Sequence, residues 1–397
     1  MKLYSKFTPY LLIILITVIS TLILWVPFII RQPAWIGLNI KDFNFQYIYR
    51  QYDGLLYIIP AKTAYLIKHM DIPGIKPEYF AAHLPLYPFF IKLFALFFGY
   101  LKSMLIVNIG FTILLGMFFY YLISKFKISN KPLYLVFALL FLPRFLIVRS
   151  VGAPESLFTF LLLVSIFFFE KNNYLLAGFF GGLATMTKIP GILLFGAYGL
   201  VFLEKIFLSL RAKRSNLIEK IASYSGLIEN TRNDNFFSLK WLWLILIPLG
   251  LIGVFSLYWI QYGDFFAFFH TTATVPMPYP FSVFNWQAKW VGTAWLEELI
   301  FYFFIYALTV VYLYRSKFRS FFYFSLVFFL AIIFVQHRDI SRYSLPLWPM
   351  AIIAFEKLFS SKKFLIAVII ILPAIYLYAW NFLSYNVIPI ADWKPFL

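Results

Sequence analysis

The feature that most constrains this chain is the recurrence of long apolar runs almost free of charge. Tyr10 to Ile30 is the first. It is too long for the core of a signal peptide, and no small-x-small cleavage site follows it. It reads as an uncleaved first span, with Lys2 and Lys6 ahead of it. Runs of the same kind recur at Ser103–Ile123, Leu133–Phe145, Glu155–Phe169, Tyr174–Thr187, Ile192–Leu208, Trp241–Ile260, Leu299–Tyr314, Phe321–Val335, Leu345–Phe359 and Phe364–Leu383. About eleven crossings follow, since an apolar helix of roughly twenty residues spans a bilayer. Composition agrees. The chain is 62% hydrophobic and only 13% charged, and no soluble core of this size hides so much apolar surface. The fold class expected is an all-α integral membrane bundle forming one polytopic domain over residues 1–397.

Two stretches interrupt the apolar pattern. Arg31 to His83 is polar and aromatic, and its character suits amphipathic helices lying in the membrane surface; Pro85 to Tyr100 reads as a further interfacial or re-entrant helix. Residues 204–240 are hydrophilic and basic. The charge pattern sets the expected orientation. The N-terminus, the 204–240 loop and the short loops on the same side hold nineteen of the 34 basic residues. Eight of the remainder lie between Arg31 and Lys102, and long loops escape the rule that cytoplasmic segments are basic. The N-terminus is therefore expected in the cytoplasm, residues 31–100 and the C-terminus outside it, and the protein in a plasma membrane, bacterial in character. The net charge of +18 is assigned to this bias rather than to nucleic acid. There is no cysteine, which excludes disulfides, thiolate metal sites and a cysteine nucleophile.

Polar residues gather at the expected outer ends. Asp42 and Asp53 are eleven residues apart, three helical turns, so on a helix they share a face. A carboxylate beside an acceptor hydroxyl is what a general base requires. His83 precedes Pro85 and Pro88 at an entry into the membrane. Glu155 opens an apolar run, where an acid also favours the helix dipole. Lys188 sits in a tight turn before Pro190-Gly191, a costly place for an unpaired cation. His337-Arg338-Asp339-Ile-Ser-Arg342-Tyr343 packs three charges and a histidine into six residues. Arginine there suits an anionic head group, because its fork binds two oxygens at once. Each residue also has a plainer role, as a solvated loop charge or a snorkelling helix end. No Walker loop, dinucleotide fingerprint or metal-spaced histidine pair is present. The near-absence of acids within the spans argues against an ion-coupled pump.

Taken together, these segments resemble the GT-C superfamily of polytopic glycosyltransferases, and within it the PIG-V-like mannosyltransferase group. The carriers are Tyr52-Asp53-Gly54-Leu-Leu-Tyr57 with Ala64-Tyr65, His83-Leu84-Pro85-Leu86-Tyr87-Pro88, Pro154-Glu155-Ser156-Leu157-Phe158, Gly182-Leu183-Ala184-Thr185-Met186-Thr187-Lys188, and Arg342-Tyr343. Their order and spacing match over about residues 1 to 350. Tyr52 stands where the family has Trp, and Pro154 where it has Ser. Lys188 stands for Arg, as in the protein-mannosyltransferase and aminoarabinose-transferase branches. The resemblance implies transfer of a sugar from a polyprenyl-phosphate donor to a lipid, glycan or protein acceptor by direct displacement. Asp53 is the implied base, with Asp42 the alternative. His83, Glu155, Lys188, His337, Arg338, Arg342 and Tyr343 are implied to bind the donor phosphate and substrate. Some members of the superfamily use a divalent metal and many do not. A flippase or transporter of lipid-linked sugars, or a polymerase or ligase of surface polysaccharide, remains as an alternative.

Overall fold

In the computed structural model, residues 2–39, 44–66, 75–222, 239–271, 276–390 and 392–397 are described. Almost all regular structure is helical; a two-residue antiparallel hairpin, Ala34–Trp35 with Leu38–Asn39, is the only sheet among them. Five helical segments are long and apolar enough to cross a bilayer: Phe7–Ile29, Tyr100–Lys125, Ile189–Arg211, Leu239–Tyr262 and Lys362–Tyr385. Leu86–Phe98, Tyr174–Thr185, Glu298–Leu313, Arg319–Ile333 and Leu345–Ala354 are apolar but shorter. Glu155–Glu170 is apolar between its terminal acids. The outward faces are those lipid demands, with Leu11, Leu15, Ile19 and Leu22 exposed on the first helix and Ile366, Ile369 and Ile370 on the last. The chain is a multi-pass membrane protein.

Two expected spans are broken. The run at Leu133–Phe145 divides into Pro132–Leu140 and Pro143–Val148. Pro143 lacks the N–H that would continue the first helix and opens the second instead. Leu345–Phe359 divides into a 3₁₀ turn at Leu345–Leu347, a helix at Trp348–Ala354 and a final turn at Glu356–Phe359.

Glu155–Glu170 is the centre of the bundle, packed against Tyr174–Thr185 and Tyr100–Lys125. Small residues permit the closest crossing. A Cβ on Gly250 would meet the Gly182 carbonyl oxygen at 2.5 Å, and one on Gly182 would meet the Leu246 oxygen at 2.7 Å. Without a hydrophobic drive between helices in lipid, such close backbone packing is a main source of association.

The first loop is buried more deeply than a surface-lying amphipathic helix would be. Its helices are short, at Gln46–Tyr49 and Ile58–Thr63, with 3₁₀ turns at Gly54–Tyr57 and Pro77–Ala82. Ile48, Leu55, Leu56, Tyr57 and Ile58 are all buried. The last helix and the segment after it hold this loop. Gln51 pairs with Val387 as an isolated bridge, and Ile388 N–H donates to the Arg50 carbonyl at 2.9 Å. Gln51 Nε2 donates to the Leu383 carbonyl at 2.6 Å.

Charged residues collect at opposite ends. Glu170, Glu204 and Arg319 lie at one, where Arg319 binds Glu204 through both Nε (2.8 Å) and Nη2 (2.7 Å). Glu155 begins the helix that Glu170 ends, about 23 Å away at 1.5 Å per residue. The basic-residue bias predicts a cytoplasmic Glu170 end, and the absence of native cysteine makes a clean test of that expectation. A cysteine at Ser215 should stay unlabelled by an impermeant maleimide in intact cells, while one at the exposed Thr293 reacts. The reverse pattern would invert the orientation.

Candidate active site

The local fold around Asp53 follows from its neighbours. Tyr52 takes a left-handed backbone, with φ of 48°, a costly conformation for a non-glycine residue. Gly54 follows because nothing larger fits. A Cβ there would meet the Gly152 carbonyl oxygen at 2.8 Å. This contact presses the Asp53 turn against the segment leading into Glu155. Asp53 occupies the residue before a 3₁₀ turn, with no side-chain cap hydrogen bond. The helix at Gln46–Tyr49 stops before the bridge at Gln51, so no continuous helix joins residues 44 to 53. Asp42 lies outside the described residues.

Asp53, Glu155, Lys188 and Arg342 converge from four separate segments. Lys188 Nζ donates to Glu155 Oε1 at 2.7 Å, and Arg342 Nε lies 2.9 Å from the same oxygen. Arg342 Nη2 is 3.8 Å from Asp53 Oδ2, and its guanidinium stacks 4.4 Å over the Tyr52 ring. Glu155 is only 2% exposed, whereas the Asp53 side chain is 43% exposed. The cluster thus buries its ion pairs and leaves one carboxylate facing open space. Glu155 Oε2 is buried with no hydrogen-bond partner among the described residues.

A second brace was not legible in the sequence. Arg144 donates to the Tyr52 hydroxyl at 3.1 Å and to Ser341 Oγ at 2.9 Å. It lies 3.3 Å from Asp339 Oδ1 and stacks 4.7 Å over Phe382. It thereby ties the Asp53 turn to the short Ile340–Tyr343 helix that carries Arg342. Its only sequence signal is a cation after a proline inside an apolar run. Arg149, by contrast, points away from the site. It is fully buried and donates to Ser20 Oγ (2.7 Å) and Thr21 Oγ1 (2.9 Å) on the first helix.

Both histidines are held neutral. His83 is 3% exposed and packed edge-on against Tyr57, with ring centroids 4.7 Å apart. Burial pushes its pKa down to about 4, against a smaller upward pull from Asp53. Burial also lowers that of His337, partly offset by Asp339. His337 Nδ1 accepts from the Asp339 backbone N–H at 3.0 Å, so the neutral ring carries its proton on Nε2. Arg338 is exposed, and Tyr343 packs edge-on to His337 at 4.9 Å.

The His83 shift has a consequence for stability. The folded state binds this proton less readily than the unfolded chain, so stability falls as pH drops from about 6.5 towards 4. Wild type should lose about 2–3 kcal/mol more than His83→Asn between about pH 7 and pH 4.5. Thermal melts of the purified protein across that range measure this; parallel acid-side slopes would remove His83 as the cause.

Two cavities meet at Asp53. One of about 510 Å³ runs past Glu155 and Lys188 between apolar walls that include Phe158, Ile192, Leu193, Phe328 and Ile332. His83 lines it. The other, about 780 Å³, is bounded by Arg144, Arg338, Asp339, Tyr378, Asn381 and Asn386 among others. Asp53, His337, Arg342 and Tyr343 line both. Among the described residues, no group of three or more acidic or histidine side chains is arranged to hold a metal ion.

No protein-family model matches the chain, and no curated protein matches it in sequence. The fold is similar to that of ArnT from Cupriavidus metallidurans in a crystal structure with bound undecaprenyl phosphate, at a TM-score of 0.53 and 14% identity. The match covers 90% of this chain and 63% of that one, so the chain spans less than two thirds of the protein it matches. At this identity the likeness is one of fold.

Proposed function

We propose that the chain is a GT-C-type membrane glycosyltransferase. It would move a hexose, mannose-like, from a polyprenyl-phosphate donor to a hydroxyl acceptor on the extracytoplasmic face. The observation that carries this reading is Asp53, half exposed at the junction of one apolar and one polar cavity and 3.8 Å from a buried arginine. An isoprenoid tail needs apolar walls; an attacking hydroxyl needs a base. The fold neighbour with undecaprenyl phosphate bound supports a donor of that chemistry.

The chemistry follows from the charges. The acceptor oxygen attacks the anomeric carbon as its proton passes to the Asp53 carboxylate. The bond from that carbon to the phosphate oxygen breaks, and polyprenyl phosphate leaves. A single displacement inverts the anomeric configuration. Lys188 and Arg342 are held in place by Glu155, with Asp53 and Asp339 each 3.8 Å from Arg342. These fixed cations are the groups that would stabilise negative charge growing on the departing oxygen. The neutral His83 and His337 can hydrogen-bond the donor without adding charge, while Arg338 and Tyr343 border the path of the acceptor.

The test is transfer of radiolabelled sugar from polyprenyl-phosphate donors in membranes containing the protein. Wild type should transfer and Asp53→Asn should not. Equal incorporation by both would refute the assignment.

A further inference from the structure

The larger cavity carries information about the acceptor. One face of the Lys362–Tyr385 helix supplies a wall of it. Tyr378, Asn381, Phe382 and Tyr385 line it at spacings i, i+3, i+4 and i+7, which set them on one stripe. The stripe alternates aromatic rings with an amide. The hydroxyls of Tyr378 and Tyr385 and the amides of Asn381 and Asn386 make no hydrogen bond to the described residues, although each lines the cavity. A tyrosine of an interfacial belt faces lipid; these face a chamber that also contains Asp53.

Three acceptor classes can be weighed against these walls. An acyl or isoprenoid chain needs continuous apolar lining, which the smaller cavity has and this one lacks. An extended peptide needs a free backbone edge to pair with. The local edge is already taken, since Gln51 pairs with Val387 and Ile388 exchanges bonds with Arg50 through both its N–H and its carbonyl. A saccharide needs flat aromatic surface for its C–H faces and many hydrogen-bonding groups around them. The stripe offers both, in a volume ordinary for small-molecule sites.

We propose that the Tyr378–Tyr385 stripe is a carbohydrate platform and that the acceptor hydroxyl belongs to a sugar. The proposal rests on the transferase reading above. A sugar lying on Tyr378 and Tyr385, with hydroxyls bonded to Asn381 and Asn386, sits beside Asp53.

The test is saturation-transfer NMR on the full chain in a detergent without a sugar head group. The probes are methyl α-mannoside, methyl α-glucoside and a mannobiose, with a Ser/Thr-rich hexapeptide as comparison. At least one saccharide should bind, and the peptide should not. Asn381→Ala with Tyr385→Ala should weaken that binding at least about tenfold, the loss expected from one hydrogen bond and one aromatic contact. Both side chains are exposed, so folding should survive. Ile370→Ala, 72% exposed on the same helix, should leave binding unchanged. No saccharide signal, peptide binding instead, or equal binding by the stripe variant overturns the proposal. Asp53→Asn separates the two readings. Saccharide binding with transfer indifferent to Asp53 sinks the transferase mechanism alone; Asp53-dependent transfer to a non-sugar acceptor sinks the platform alone.

Discussion

Asp53→Asn should lower turnover by about 10²–10⁴, the usual effect of losing a general base, with little change in donor KM. The substitution keeps shape and removes basicity. Donor affinity should survive because the phosphate contacts proposed for Lys188 and Arg342 are untouched. Arg342→Gln should behave differently. A phosphate is charged before as well as during reaction, so this change weakens ground-state binding along with turnover. Separate kcat and KM values for the two variants therefore distinguish a base from a phosphate ligand. Turnover within about threefold of wild type for Asp53→Asn lies far below the general-base range and would pass the role to Asp42.

Glu155→Gln should be the most damaging substitution for stability. Glu155 is 2% exposed and answers two cations, Lys188 at 2.7 Å and Arg342 at 2.9 Å. Removing one member of a buried ion pair typically costs about 3–5 kcal/mol, because the uncompensated charge stays desolvated. Here two cations would face each other without their shared acid. The double variant Glu155→Gln with Lys188→Met removes one of them and should recover part of the loss. Thermal melts in detergent measure both. A single variant as stable as wild type would mean that water reaches the cluster.

The contrast between legible and hidden parts of this site has a physical basis. The membrane class was plain because lipid tolerates few sequences. Asp53 was singled out by its spacing from Asp42 and by the Tyr52-Asp53-Gly54 stretch of the resemblance, and the structure gives that glycine a reason in its contact with Gly152. Lys188 was marked as needing a partner, yet its sequence could not say that Glu155, 33 residues earlier, would supply it. Long-range pairing leaves no local trace. Arg144 and Arg149 are two cations five residues apart beside an apolar run. One braces the site and the other is buried against Ser20 and Thr21. The distinguishing signal lay far away, in two hydroxyl residues inside the first apolar helix. The break in Leu133–Phe145 was missed because Pro143 was read as part of an apolar run rather than as a helix start.

The grip of residues 383–388 on Arg50 and Gln51 also bears on how the protein is made. Gln51 and Leu383 are separated by 332 positions. At synthesis rates of about 5–20 residues per second, roughly 17–66 s pass between translation of the two. Through that interval the first loop has been made but its anchors do not exist. The support that residues 383–388 give to Arg50 and Gln51 therefore arrives last, and a ribosome-bound chain halted before residue 383 has the contacts of Gly54 with Gly152 and of Arg144 with Tyr52 available but lacks this final anchor of the loop.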